Sequence, residues 1–380
     1  MKAVSAFLTS DHQRHWTRVT DWSREVLHQR REPTSDEAAR LEARELLGAL
    51  GDAGLLETLA LQDLRALCLL REAVAQASPL ADAIVAIQAL GATPIMQAGS
   101  DEQRARWLRH ITFGRVMTAF AMTEPGAGSD VASMRTTAVR DGSDWVLNGD
   151  KHLISNAGLA DLYLVFAKTS PEKGSRGISV FLVPVDTRGL DFTGAQVMAA
   201  PHPLGRLRFN DCRVPDSARL GPVDQGFKLG MATLDQIRPS VGAAACGLAA
   251  RALEESIMYA KQRQQFNQRL SDMPLVREKI GRMATELDAG RLLVYRAAWE
   301  ADSQPGRHST SAAMAKGFAT EMAQRVVDDA VQIVGGTGVL VGHPVERLYR
   351  SVRALRIYEG ATDIQRLIVA AKYLDEGSRS

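Results

Sequence analysis

The sequence predicts an α+β fold, mostly α, in three parts. They are an N-terminal α-helical domain over residues 1–115, a middle antiparallel, barrel-like β-domain over 116–222, and a C-terminal helical bundle over 223–380. Three observations predict it. Apolar residues recur at helical spacing up to about Arg115. Short runs rich in β-branched and aromatic residues then alternate with turn signals. Long helical patterns resume from Gly226. The order helices, strands, helices argues for segregated layers rather than alternating βα units. A chain of 380 residues is too long for one ordinary core, and 45% hydrophobic content is normal for a globular protein.

At the start, Arg14, Arg18 and Arg24 are interleaved with Asp11, Asp21 and Glu25. Transit peptides avoid acids, so this segment reads as the first helix of the mature fold. Helical runs follow at 46–56, 61–74 and 81–90, punctuated by Gly51, Gly54, Gly91 and Gly99. In the middle region strands are expected at 144–147, 162–167, 177–185 and 207–214. Asn148-Gly149 reads as a hairpin turn, and 168–177 as a polar surface loop. Helices are then expected at 241–263, 274–301 and 311–334, with a glycine break and a last helix after Ala361.

Charge and composition exclude several functions. Lys+Arg 46 against Asp+Glu 44 leaves +2, with no concentrated basic patch for nucleic acid or a membrane surface. No apolar stretch is expected to reach the length that spans a bilayer. Cys68, Cys212 and Cys246 are scattered, which argues against a zinc site or a disulfide framework and fits a reducing, cytoplasmic compartment.

Five segments carry candidate chemistry. Residues 122–130 (MTEPGAGSD) combine hydroxyls with glycines that permit close backbone approach, although Glu-Pro-Gly is also ordinary turn chemistry. The glycine spacing is not that of a Rossmann site. Residues 147–156 (LNGDKHLISN) end a strand on Ser155 and Asn156. Residues 263–268 (RQQFNQ) place Arg263 where it could pair a phosphate or simply end a helix. Residues 332–338 (QIVGGTG) read as a glycine C-cap or a close backbone approach. In 357–365 (IYEGATDIQ) an acid sits between an apolar stretch and a glycine, either desolvated and reactive or a plain helix-start acid.

Taken in this order and at these separations, the segments resemble the acyl-CoA dehydrogenase family over nearly the whole chain. Residues 7–13 (FLTSDHQ), 46–56 and 99–108 resemble it too. The resemblance implies FAD as cofactor, an acyl-CoA substrate, a four-helix C-terminal bundle and a homotetramer built of two dimers. FAD would lie between the β-domain and the bundle, and an electron-transfer flavoprotein would accept the electrons. Carried over by position, Phe120, Met122, Thr123, Gly128 and Ser129 would contact the flavin, with Thr123 at the pyrimidine edge. Leu153, Ile154 and Ser155 would cover the ring, Ser155 near N5. Arg263, Phe266, Gln332 and Gly336 would serve the FAD of a neighbouring subunit, and Ala361, Thr362 and Asp363 would also bind cofactor. Ser129, Asp235, Arg238 and Gly360 would touch the substrate. Glu359 would be the base that takes the α-proton while the β-hydrogen leaves as hydride, giving the trans-2-enoyl-CoA. Ile237 stands where some relatives carry the base, and it cannot act as one.

The chain departs from the family pattern at several points. Leu153 replaces an aromatic residue, Asn267 a Gly, Pro274 a Gln, and Asp363 a Gln or Glu. Residues 200–206 (APHPLGR) are shortened and carry two prolines, and His202 there reads as a loop residue. Three alternatives stay open: an acyl group carried on a carrier protein, a non-catalytic flavoprotein that binds nucleic acid or a protein partner, and oxidase or nitroalkane-type chemistry.

Overall fold

The computed structural model describes residues 1–376. Polar caps set where its first helices begin. α1 (Ser10–Trp22) opens on a capping box between Thr9 and His12. α2 (Asp36–Asp52) is capped by Ser35, α3 (Leu64–Ala77) by Asp63, and α5 (Asp101–Thr112) by a Ser100/Gln103 box. Between the last two runs α4 (Pro79–Ala98). This helix corrects one expectation, because it is long and apolar enough to cross a membrane by length and composition. Most of its apolar window is buried inside the folded chain, as in the core helix of a globular protein.

Eight strands follow: β1 (Thr118–Ala121), β2 (Thr137–Asp141), β3 (Asp144–Ser155), β4 (Leu162–Lys168), β5 (Ile178–Pro184), β6 (Leu190–Ala195), β7 (Leu204–Pro215) and β8 (Arg219–Leu220). They form one sheet in the order β6-β7-β3-β2-β4-β5-β8, with β1 beside β4. The sheet is mixed rather than wholly antiparallel, since β1 and β2 both run parallel to β4. Long stretches of chain separate these partners, and parallel pairing needs such a crossover.

Asn148-Gly149 is not a hairpin turn. β3 runs straight through it and pairs with β7 on both sides of a register shift. The turn lies one step earlier, at Gly142 (φ 63), between β2 and β3. Gly149 is needed for packing instead, because a Cβ there would meet the Thr136 side chain at 2.5 Å. The 168–177 segment is a short 3-10 stretch at Pro171–Gly177.

α6 (Gly226–Gln262) starts well before the expected 241 and carries Pro239 inside it. Burial of Val241, Ala243, Ala244, Ala245 and Cys246 just beyond offsets the lost intrahelical bond. β9 (Gln264–Gln265) and β10 (Gln268–Arg269) then make a hairpin around Phe266 and Asn267, both left-handed at φ 51 and 59. α7 (Pro274–Ser303), α8 (Ser309–Val334), α9 (Pro344–Leu355) and α10 (Thr362–Glu376) complete the chain. Gly335 (φ 71) ends α8, as the glycine signal predicts.

The chain folds into two compact units, each assembled from separated segments. The helical unit takes residues 1–32, 63–82 and 235 onward. Within it α8 packs on α7, α9 and α10, and α3 on α1 and α7. The sheet unit takes 33–62 and 83–234. Its core gathers Trp145, Leu147, Tyr163, Val165, Phe181 and Phe209.

Candidate active site

In the helical unit the focus is the short connection between α9 and α10. Glu359 (φ 53) and Gly360 (φ 89) are consecutive left-handed residues, which throws the Glu359 side chain off the path of either helix. Two side chains hold that turn at the Gly360 carbonyl: Lys316 Nζ donates at 2.7 Å and Gln365 Nε2 at 2.9 Å. Among the described residues no acceptor takes the Glu359 backbone N–H. The Glu359 Oε2 atom is buried and has no hydrogen-bond partner among the described residues.

Charges crowd this carboxylate. Burial pushes its pKa up; Arg71, Lys316 and Arg238 pull it back, and Asp82 adds to the rise. Arg71, fully buried on α3, binds Asp82 of α4 through Nε at 2.8 Å and Nη2 at 2.9 Å, and Ser240 through Nη1 at 3.0 Å. Arg238 binds Asp235 at 2.5 Å, and its Nε is buried without a partner among the described residues. Asp235 also accepts from Arg307 and from Ser309, so its carboxylate is spoken for by side chains. Lys316 is buried and among the described residues no carboxylate binds it directly; burial pushes it down to about 8 while Glu359 opposes that shift. Sequence reasoning missed Arg71, Asp82 and Lys316. A signal existed for Asp82 and Lys316, since each is a lone charge inside an apolar helical run, and a buried charge needs a counter-charge nearby; Arg71 sits beside Glu72 in such a run.

In the sheet unit the 122–130 segment folds back on itself as a tight bridge between Glu124 and Ala127. The bridge is anchored by a buried ion pair, Lys151 Nζ to Glu124 Oε1 at 2.8 Å, and Glu124 also accepts from the Thr136 N–H at 3.0 Å. Thr123 sits half-buried beside it. The Thr123 carbonyl takes the His152 N–H at 2.9 Å, which ties this segment to β3. Gly126 and Gly128 face open space. Phe120 packs on Phe166 with ring centroids 4.8 Å apart.

At the end of β3, Leu153 is left-handed (φ 55) and half-exposed, with its N–H held by Gln196 Oε1 at 2.9 Å. Ile154 is buried in the sheet core, because strand residues alternate faces. Ser155 Oγ is bound by His202 Nε2 at 2.8 Å. His202 is therefore more than a loop residue, and burial pushes its pKa down to about 4. Met122 is buried, with its carbonyl taken by Lys151 at 3.2 Å.

The other expected positions spread over the helical unit's surface. Arg263, Gln332, Gly336 and Asp363 are exposed, and Phe266 is 88% exposed at the tip of its hairpin. Thr362 is buried at the start of α10, where its N–H donates to the Arg356 carbonyl at 3.0 Å. Ala361 precedes it, half-buried. Ser129 is exposed in the sheet unit. Glu359, Gly360 and Arg238 are thus brought together with the three missed charges, and Thr123, Leu153 and Ser155 are grouped in the sheet unit.

Comparison with known proteins agrees over nearly the whole length. Family models described as the N-terminal, middle and C-terminal domains of acyl-CoA dehydrogenase match residues 9–115, 119–212 and 224–374. A probable acyl-CoA dehydrogenase of Mycobacterium leprae is 39% identical over 312 residues, 81% of this chain and 80% of that one. The caffeyl-CoA reductase–Etf complex subunit CarC of Acetobacterium woodii is 39% identical over 292 residues, 75% and 76% of the two chains. A solved glutaryl-CoA dehydrogenase of Mycobacterium smegmatis in complex with FADH2 is 27% identical, with a TM-score of 0.88 over 97% of this chain and 96% of that one.

Proposed function

The chain belongs to the acyl-CoA dehydrogenase family and is an oxidoreductase of that family, and from this premise we propose that it desaturates an acyl-CoA between the α and β carbons. The product is the trans-2-enoyl-CoA, and the electrons pass to an electron-transfer flavoprotein, as the Etf complex named for the Acetobacterium relative supports. One observation carries the reading: a half-buried carboxylate, Glu359, whose buried Oε2 has no partner among the described residues and which faces three cations. A thioester α-proton is weakly acidic, so its removal needs a base tuned upward and a donor at the carbonyl oxygen. Burial raises the Glu359 pKa, and the free Glu359 N–H is the donor.

The residues of the sheet unit fit a flavin. Leu153 offers a half-exposed apolar face, while Thr123 and Ser155 offer hydroxyls suited to heteroatoms at a ring edge. FAD, when bound, supplies the acceptor for the hydride that leaves the β-carbon. The FADH2 complex of the Mycobacterium smegmatis relative supports FAD over other cofactors. Arg238 places the substrate or the Glu359 turn. A homotetramer and a cytoplasmic location belong to the same reading.

The test is anaerobic mixing with short, long, branched and aromatic acyl-CoAs. At least one should bleach the flavin, and Glu359→Gln should keep the yellow cofactor yet fail to bleach. Protein that takes up no FAD, or a fully active Glu359→Gln, sinks the reading. The reductase name of the Acetobacterium relative favours one second possibility, net flux towards the saturated thioester. It predicts that an enoyl-CoA reoxidises the reduced protein faster than the saturated ester reduces it.

A further inference from the structure

We propose that His202 is a positioning residue for Ser155: by accepting at Nε2 it aims the Ser155 hydroxyl, and so sets how readily a bound flavin takes up electrons. The proposal rests on the reading that Ser155 belongs to the flavin site.

Ser155 has a fixed backbone and one free rotor. Leu153 and Asn156 on either side are both left-handed, at φ 55 and 63. The Asn156 side chain donates to the Thr118 carbonyl at 3.0 Å, and its N–H to the Pro203 carbonyl at 2.9 Å. What remains undetermined is where the Ser155 proton points, and the ring at 2.8 Å decides that. His202 is itself held in place. Arg40 donates to the Leu204 carbonyl at 2.7 Å and to the Ala157 carbonyl at 2.9 Å, and binds Asp36 at 2.6 Å. The segment is thus tied down immediately after the histidine, at the Pro203 and Leu204 carbonyls, which explains how a shortened, two-proline approach to β7 delivers a ring to Ser155.

The chemistry follows from counting donors. A serine hydroxyl has one proton and two lone pairs. The N5 atom of an oxidised flavin accepts a hydrogen bond, and that of a reduced flavin donates one. If His202 takes the Ser155 proton, the serine oxygen keeps its lone pairs for a donor, which favours the reduced ring. This needs a neutral imidazole. Burial lowers the His202 pKa to about 4, Asp36 opposing and Arg40 adding, so the ring is neutral over the physiological range.

The experiment is a redox titration of the flavin in holoenzyme. His202→Leu should favour the reduced flavin about tenfold less, a midpoint about 30 mV lower for a two-electron couple. His202→Gln, which keeps an acceptor, should retain the native midpoint. In a Ser155→Ala background His202→Leu should cause no further change. A native midpoint in His202→Leu, or a drop that persists without Ser155, overturns the proposal alone. If Ser155→Ala leaves both the flavin spectrum and the midpoint unchanged, the placement of Ser155 falls and takes this proposal with it. Nitrogen NMR of histidine-labelled native holoenzyme supplies a check that needs no variant. The His202 signal should report a proton on Nδ1 and none on Nε2 at pH 7, and the opposite tautomer overturns the proposal.

Discussion

Lys316 and Glu359 are a residual pair of opposite charges. Lys316 holds the turn through the Gly360 carbonyl at 2.7 Å, and among the described residues it is the cation facing Glu359 that binds no carboxylate directly. Arg71 is matched by Asp82, and Arg238 by Asp235. Leaving aside the exposed Arg307 that also binds Asp235, ionised Glu359 makes the cluster of Arg71, Asp82, Arg238, Asp235 and Lys316 neutral when Lys316 is protonated. Once Glu359 takes a proton, the cluster carries an excess positive charge, which favours negative charge growing on a substrate carbonyl oxygen.

Lys316→Met should move the acid limb of kcat/KM to higher pH. Glu359 must be ionised to act, so activity is lost as pH falls through its raised pKa. Lys316 pulls that pKa down, so removing it makes the loss begin at higher pH. Activity near pH 7 should fall by roughly tenfold, a small part of what a positioned base contributes. A pH–rate profile with bound FAD unchanged checks it. An acid limb at the native position would leave Lys316 a structural role only.

Glu359→Gln should lower turnover by roughly 10²- to 10⁴-fold, the range for loss of a general base. The substitution keeps shape and removes the charge, so thermal stability should not fall. Single-turnover flavin bleaching measures the chemical step directly.

Glu359→Gly should be more stable than the native protein, by about 1 kcal/mol, while losing turnover. The left-handed backbone at φ 53 costs a side-chain-bearing residue and costs glycine nothing. A urea midpoint shifted upward, with no activity, is the expected pair of results. An unchanged or lower midpoint would mean that the Glu359 side chain stabilises the turn it occupies.

Lys151→Met should destabilise the fold by about 3–5 kcal/mol, because it strands a buried Glu124 without its cation. Lys151→Met together with Glu124→Gln should recover much of the loss. Urea denaturation of both variants at pH 7 checks this, and the single variant should also loosen the 122–130 segment.

Local chemistry made much of this molecule readable. Gly335 ends α8 because glycine takes a left-handed cap without cost, and the pattern at 311–334 shows it. β4 and β5 are legible as apolar runs because both of their faces are buried. Asn148-Gly149 misled because the same dipeptide suits a hairpin and a close approach, and only the neighbour, Thr136, distinguishes them. Glu359 stood out by its place between an apolar stretch and a glycine. Arg71, Asp82 and Lys316 did not, since Glu359 lies on a separate turn far along the chain from the helices that carry Arg71 and Asp82, and only folding brings Lys316 to it.

By itself the sequence determined the kinds of element, their order, the family and the residue that acts as base in the proposed reaction. The elements follow from periodicity and caps, which act over a few residues, while the family and the proposed base follow from the resemblance that the motifs carry in their order. The tertiary structure decided the mixed pairing of the sheet, the ring of charges on Glu359 and the bond between His202 and Ser155. The physical reason is that hydrogen bonds and Coulomb forces act through space, over a few ångströms, between groups the chain keeps tens to hundreds of residues apart.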